Sequence, residues 1–359
     1  MKPIKLICCL RRFTPLCVVA LFGFLEYSFS YEFSYKCVHP RSASIGLIVI
    51  FNVILTLIFG LWFAVLYSGP GFIECQIPPY DLDSFFKNGQ KYIKDQEKGD
   101  CSAKNYEIVA HKELLSVPDM FICNFQGLPG WCTTCKSLKL ARAHHSSSCN
   151  RCVIAMDHFC IFLGGVIGQK NYGTFLGLIV LMNLICLFSF ISIFSVRKSV
   201  NGTHPTTIIC VIGCITFFGM VTNLILQNLL QIKHNETTIE QLAKGDMKRA
   251  YSRIKKKGIY EKDHLKRITT YVNLKHPSIE GIRLVVPLTV DDYPYDTGSF
   301  IENFKCRTSR RHASLVQDKK VIAMASHQEV SKLFAEKLLE RIHKHEIEVT
   351  VFGKESIET

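Results

Sequence analysis

Four stretches of this 359-residue chain are apolar over the roughly 20 residues that a helix needs to cross a hydrocarbon layer of about 30 Å. They run from Phe13 to Ser30, Ile45 to Tyr67, Gly173 to Ser195 and Thr206 to Leu230. The last three hold no Asp, Glu, Lys or Arg, as expected where every backbone group is satisfied internally and a charge is costly. The first contains Glu26 and follows Lys2, Lys5, Arg11 and Arg12, so it also has the outline of a secretory signal with Ser28 and Ser30 flanking a cleavage point. An acid inside the apolar run argues against cleavage. A mean hydropathy of +0.17 is too apolar for an ordinary soluble protein of this length unless the apolar residues gather into long runs, and here they do gather. The expected fold class is an all-α, multi-pass membrane protein with four transmembrane helices.

Four spans put both ends of the chain on one side, and basic segments locate that side as cytosolic. The N-terminus and the tail after Leu230, with Arg253, Lys255, Lys256 and Lys257, therefore face the cytosol, as does the loop of residues 69–172. Lys36, Arg41, Arg197 and Lys198 fall in the outer loops and weaken this asymmetry without reversing it. A formal charge of +13 suits cytosolic parts lying against anionic lipid, where each basic residue contributes about 1 kcal/mol; a solvated basic tail would read the same way. No nucleic-acid module or run of stacking aromatics is present, so nucleic acid is not an expected partner.

The chain divides into residues 1–68, an N-terminus and two helices; 69–130, a polar and irregular linker; 131–172, a cysteine-rich block; 173–230, two further helices; and 231–359, a tail. Ser68-Gly69-Pro70-Gly71 must end the second helix. The cysteine-rich block has neither helical nor alternating periodicity, which leaves metal ligation to hold it. In the tail, a basic amphipathic stretch covers residues 244–267, and a charged helix-like segment covers 326–347 as a solvated helix.

Five of the sixteen cysteines lie between residues 132 and 160, in the loop placed in the cytosol, where clustered thiols signal metal or catalysis. Cys132-x2-Cys135, followed by His144, His145, Cys149 and Cys152, has the soft-ligand pattern of a tetrahedral structural zinc. Spacing alone cannot choose the second ligand pair: Cys149 with Cys152 gives a four-cysteine site, and His145 with Cys152 gives three cysteines and a histidine. Then comes Asp157-His158-Phe159-Cys160. A free thiol is a weak nucleophile; an imidazole can take its proton, and a carboxylate can hold that imidazole in the right tautomer.

These motifs resemble the DHHC protein S-acyltransferases. The likeness is carried by Cys132-Thr-Thr-Cys135, Arg142-Ala-His-His145, Cys149-Asn-Arg-Cys152, Asp157-His158-Phe159-Cys160 and Gly168-x2-Asn171-Tyr172. Gly69-Pro70-Gly71 stands where the family has Asp-Pro-Gly, and Thr237-Thr238-Ile239-Glu240 matches its Thr-Thr-x-Glu. The likeness covers roughly residues 13–245. It implies transfer of a long-chain acyl group from palmitoyl-CoA, or another long-chain acyl-CoA, to juxtamembrane cysteines of other proteins through an acyl-enzyme on Cys160. His158 would be the base and Asp157 its orienter.

The same resemblance implies a zinc on Cys132, Cys135, His145 and Cys152. A second family zinc would need the positions of Ser146, Cys149, Phe159 and Val166, of which only Cys149 can ligate, so one zinc and a spare Cys149 thiol are expected. The signature's second histidine is Phe159, and its usual Pro-Trp is Ile161-Phe162; a yeast branch of the family shares this look.

Competing readings are a zinc-containing membrane adaptor that never carries a thioester, and a small transporter, for which only Glu26 speaks. Thr237 and Thr238 also fit a capping box with Glu240. Asn171 fits a brace for the third helix. Cys8 and Cys9 fit lipid attachment beside a basic stretch. Asn201-Gly202-Thr203 is a glycosylation sequon in a loop too close to the membrane for use.

Overall fold

The structure is a computed structural model and describes residues 3–82, 115–140, 142–196, 205–256, 268–309, 330–344, 346–347 and 349–353. The sequon, residues 257–267 and the start of the 326–347 segment lie outside the described residues, as do the side chains of Cys8 and Cys9. The chain forms two compact units, and both are assembled from separated segments rather than from consecutive blocks.

The first unit combines residues 1–69, 159–167 and 171–230. Helix α1 (Pro3–Glu26) continues as a π-helical stretch (Tyr27–Tyr35), and α2 (Arg41–Ser68) follows. Helices α3 (Tyr172–Val196) and α4 (Pro205–Lys233) complete four helices long and apolar enough to cross a membrane. The first span reaches Tyr35, beyond the Ser30 expected from hydropathy. That extension buries Glu32, which hydropathy alone passed over. The wide π turn sets residues five apart in line, and Tyr27 Oη donates to Glu32 Oε1 at 2.6 Å while Lys36 Nζ donates to the same oxygen at 3.0 Å.

Buried Phe51, Leu55, Ile58, Trp62 and Val65 of α2 recur at heptad spacing, and aromatic and polar contacts add to that packing. Phe29 stacks on Phe51 of α2 with ring centroids 4.5 Å apart. Asn183 of α3 donates to Thr222 of α4 at 3.1 Å, and Tyr172 donates to Asn228 at 2.9 Å. Asn171 donates to the carbonyls of Val65 and Val166, so it braces the end of α2 against the start of α3.

The second unit combines residues 70–158, 168–170 and 231–359. Strand β1 (Met120–Cys123) opens it, followed by three short two-stranded ladders: β2 (Trp131–Cys132) with β3 (Ser137–Leu138), β4 (His144–Ser146) with β5 (Arg151–Val153), and β6 (His158–Cys160) with β7 (Gly165–Ile167), the last of which runs on into the first unit. The tail supplies α5 (Thr238–Lys256), β8 (Ile268–Lys275), β9 (Ile282–Thr289), α6 (Phe300–Thr308), α7 (Lys332–His343) and β10 (Thr350–Gly353).

The linker and tail were expected to be irregular or helical, yet they share an antiparallel sheet of order β1-β8-β9-β10. Alternation explains it. Val272, Leu274, Leu284, Val286 and Leu288 face one side and pack on Phe334 and Leu338 of α7. Tyr271 and Val285 face the other, toward Phe121, Ile73, Ile77 and the cysteine-rich knuckles. Helix α7 is therefore a packed helix, not the solvated one expected.

Arg283 is buried within this sheet and donates to Asn273 and to the carbonyls of Pro118 and Asp119. Burial lowers its pKa to about 10, which still leaves it charged at neutral pH.

Candidate functional site

The metal-type cluster is built by two tight turns. In the first, Cys132 sits opposite Ser137, and the turn closes through Lys136 at φ 48°. In the second, His145 and Cys152 are direct cross-strand partners, and the turn closes through Asn150 at φ 51°. The ligating atoms of Cys132, Cys135, His145 and Cys152 all lie within 4.8 Å of one another and can hold a metal ion. His145 Nδ1 is 3.5 Å from Cys132 Sγ and 3.3 Å from Cys135 Sγ. Cys149, in the second turn, points instead at the carbonyls of Ser146 and Arg151. Three thiols and one imidazole converging at this range fit a closed, four-coordinate structural zinc.

The residues after α2 lace the two knuckles together. Gly69 and Gly71, at φ 64° and 92°, turn the chain. Ile73 N then donates to Cys152 O, Gln76 N to Cys135 O and Ile77 N to Ser137 Oγ. Gly168 closes the same corner. A Cβ there would stand 2.6 Å from Val153 Cγ1 and 2.7 Å from Pro70 O, so no larger residue fits without moving backbone.

Asp157 is 1% exposed and takes four hydrogen bonds, two on each oxygen. Oδ1 accepts from Thr238 N at 3.0 Å and from Arg307 Nη2 at 2.7 Å. Oδ2 accepts from Thr238 Oγ1 at 2.7 Å and from His158 Nδ1 at 2.8 Å. Burial alone would raise this carboxyl, but the His158 hydrogen bond, the Arg307 charge and Thr238 outweigh it and hold Asp157 well below the usual carboxylate range. An ionised carboxylate only accepts, so Nδ1 of His158 is the donor, and in the neutral form of the ring the acceptor lone pair is then on Nε2. Cys160 is buried and ends the strand that His158 begins. Period-two alternation puts their side chains on one side of β6.

Thr237 and Glu240 form the reciprocal capping box. Thr237 Oγ1 accepts from Glu240 N at 3.2 Å, and Glu240 Oε2 accepts from Thr237 N at 2.8 Å. Thr238 does more than cap, since both its donors go to Asp157. Arg142 adds a further tie. Its Nε and Nη2 donate to the two oxygens of Glu240 at 2.8 and 2.9 Å, Nη2 and Nη1 also reach Asn235, and the guanidinium lies 4.2 Å from the Tyr295 ring centroid.

Sequence spacing gave no sign of Arg307, Gln169 or Asn303. Asn303 donates to Lys233 O and Asp296 Oδ1, and Gln169 donates to Cys306 O and Ser309 O, so α6 is held at Asn303 and at its C-terminal end.

Four apolar spans, a metal-type knuckle pair and an Asp-His-x-Cys strand define a multi-pass membrane protein whose cysteine-rich domain lies between its second and third helices. Residues 126–245 match the family described as DHHC palmitoyltransferase. The chain is 30% identical over 236 residues to Palmitoyltransferase PFA5 of Kluyveromyces lactis, covering 64% of this chain and 63% of that protein. It is 28% identical over 239 residues to Palmitoyltransferase PFA5 of Eremothecium gossypii, covering 63% of this chain and 62% of that one. Against Palmitoyltransferase PFA5 of Candida albicans the identity is 26% over 319 residues, covering 80% and 68%. The chain thus spans less than two thirds of the length of the first two relatives.

Proposed function

We propose that this protein is a protein S-acyltransferase that moves a palmitoyl or similar long-chain acyl group from acyl-CoA to cysteines of other proteins, with Cys160 as nucleophile. The observation that carries the reading is the Asp157–His158 hydrogen bond, which fixes His158 with Nε2 basic two residues before a cysteine on the same strand.

In the first step, His158 Nε2 takes the Cys160 proton, and the thiolate attacks the thioester carbonyl of acyl-CoA. The C–S bond to coenzyme A breaks, and the departing thiolate recovers the proton from His158. In the second step a substrate thiol loses its proton to His158 and attacks the Cys160 thioester; Cys160 leaves as thiolate and is reprotonated. Zinc is the metal the Cys132, Cys135, His145 and Cys152 set fits. With all four positions filled by protein, it would supply a cross-link that holds the fold.

Basic segments at both ends of the chain support a cytosolic orientation for the termini and the cysteine-rich domain. Acyl-CoA, the lipid bilayer and proteins with cysteines near the membrane are the partners this chemistry requires.

The test is self-labelling of purified protein by a long-chain acyl-CoA analogue. Wild type should carry a hydroxylamine-sensitive label, and Cys160→Ser should carry none, because only a thiol forms the thioester that neutral hydroxylamine cleaves and a hydroxyl is a far weaker acid than a thiol. Persistent label on the serine variant would reject Cys160 as the nucleophile.

A further inference from the structure

Helix α6 is amphipathic the wrong way round. Asn303 and Arg307 are fully buried, while Phe300, Ile301 and Phe304 are 47%, 65% and 39% exposed. Burying a guanidinium is costly, and an apolar side chain of similar volume would usually serve stability as well or better. A buried arginine aimed at an active-site carboxylate therefore points to function. Two anchors place it: Asn303 on the last residue of α4, and Gln169 on the carbonyls of Cys306 and Ser309.

We propose that Arg307, 150 residues downstream of Asp157, is a positioning residue for acyl transfer that keeps His158 available as a neutral base. The proposal rests on the acyltransferase reading. Arg307 and the Thr238 amide occupy Oδ1, which leaves Oδ2 turned to His158 Nδ1. The guanidinium also offsets the Asp157 charge. A buried carboxylate facing an imidazole alone favours imidazolium, a form with no lone pair to accept the Cys160 proton. A permanent cation on the far oxygen weakens that pull and lets the ring release its proton at lower pH. Among the described residues, the charged or titratable groups bonded to Asp157 are His158 of β6 and Arg307 of α6, and α5 contributes the uncharged Thr238.

The sign follows. Arg307→Met keeps the length, removes the charge and should raise the pH at which His158 loses its proton. The acid limb of self-acylation should move upward by about one pH unit, with the rate recovering on the alkaline side. A merely structural role would lower the rate at every pH and leave the limb in place. Arg307→Lys keeps the charge and should keep the limb. Arg283→Met, a buried arginine in the sheet away from Asp157, should reduce folded protein without moving the limb.

Two readouts on the same detergent-solubilised, full-length preparations separate the possible failures. One is the pH–rate profile of self-acylation; the other is the His158 ring titration by NMR with isotope-labelled histidine, assigned by His158→Ala. A titration that moves upward in Arg307→Met supports the proposal whether or not label is taken up, and moved titration without wild-type label rejects the acyltransferase reading alone. An unmoved His158 titration overturns the positioning role. If Arg307→Met does not fold, judged by metal content, Arg307→Gln against Arg307→Lys makes the same comparison.

Discussion

The metal cluster and the Asp157 anchor lie in the same compact unit but are assembled in opposite ways. His145 meets its cysteine partners across sequence separations of 10 and 13, through two tight turns. Asp157 meets Thr238 and Arg307 across separations of 81 and 150. The first arrangement is set by turn geometry and ligand chemistry, both local. The second depends on a helix start at Thr238 and a tail helix carrying Arg307 arriving at one carboxylate. The cluster should therefore respond to single substitutions by losing the fold, and the anchor by losing alignment.

The sharpest break in that comparison is expected at the metal. His145→Ala removes one of the four gathered ligands, and a structural zinc contributes on the order of 10 kcal/mol to folding in small domains. That variant should lose its metal and unfold the knuckles. Cys149→Ala should keep metal and fold, because its thiol faces backbone carbonyls outside the cluster. Metal analysis of the two purified variants decides it. Metal kept by His145→Ala and lost by Cys149→Ala would mean that a four-cysteine site forms instead.

A smaller effect is expected at the anchor's working end. His158→Ala removes the proposed base but none of the four gathered ligands, so protein should fold with its metal while self-acylation slows by about 100-fold, the usual size of a general-base contribution. Single-turnover acylation at fixed pH measures this. Unchanged rates would show that Cys160 is activated by some other group.

This contrast also explains what the sequence could and could not reveal. The spans were legible because twenty apolar residues have few other fates in water. Cys132, Cys135, His145 and Cys152 were legible as a ligand pool because their turns are local, although spacing left Cys149 in contention. The strand alternation in Ile268–Lys275 and Ile282–Thr289 was present in the sequence but masked by Thr, Asn, Arg and Pro among the apolar residues, so the sheet was missed. Glu32 was missed because a π-helical stretch carries the first span past its hydropathic end. Arg307 left no local trace: a lone arginine in a short tail helix looks solvated until Asp157 is beside it.

The smallest predicted effect tests where the helix cap ends and the site begins. Thr237 and Thr238 are neighbours at the start of α5, yet one serves the helix and the other serves Asp157. Thr237→Ala removes the acceptor for Glu240 N, while the reverse bond from Thr237 N to Glu240 Oε2 uses backbone and survives. Arg142 continues to hold the Glu240 carboxylate. The loss should then be that of a single N-cap, about 1 kcal/mol, or a drop in melting temperature of roughly 2–4 °C. Self-acylation below the melting transition should stay near the wild-type rate, because both Thr238 bonds to Asp157 remain. Thermal melts and acylation rates on one preparation give both numbers. A rate that falls tenfold while the melt moves by only these few degrees would show that the cap itself aligns Asp157, and the division between the two threonines would have to be abandoned.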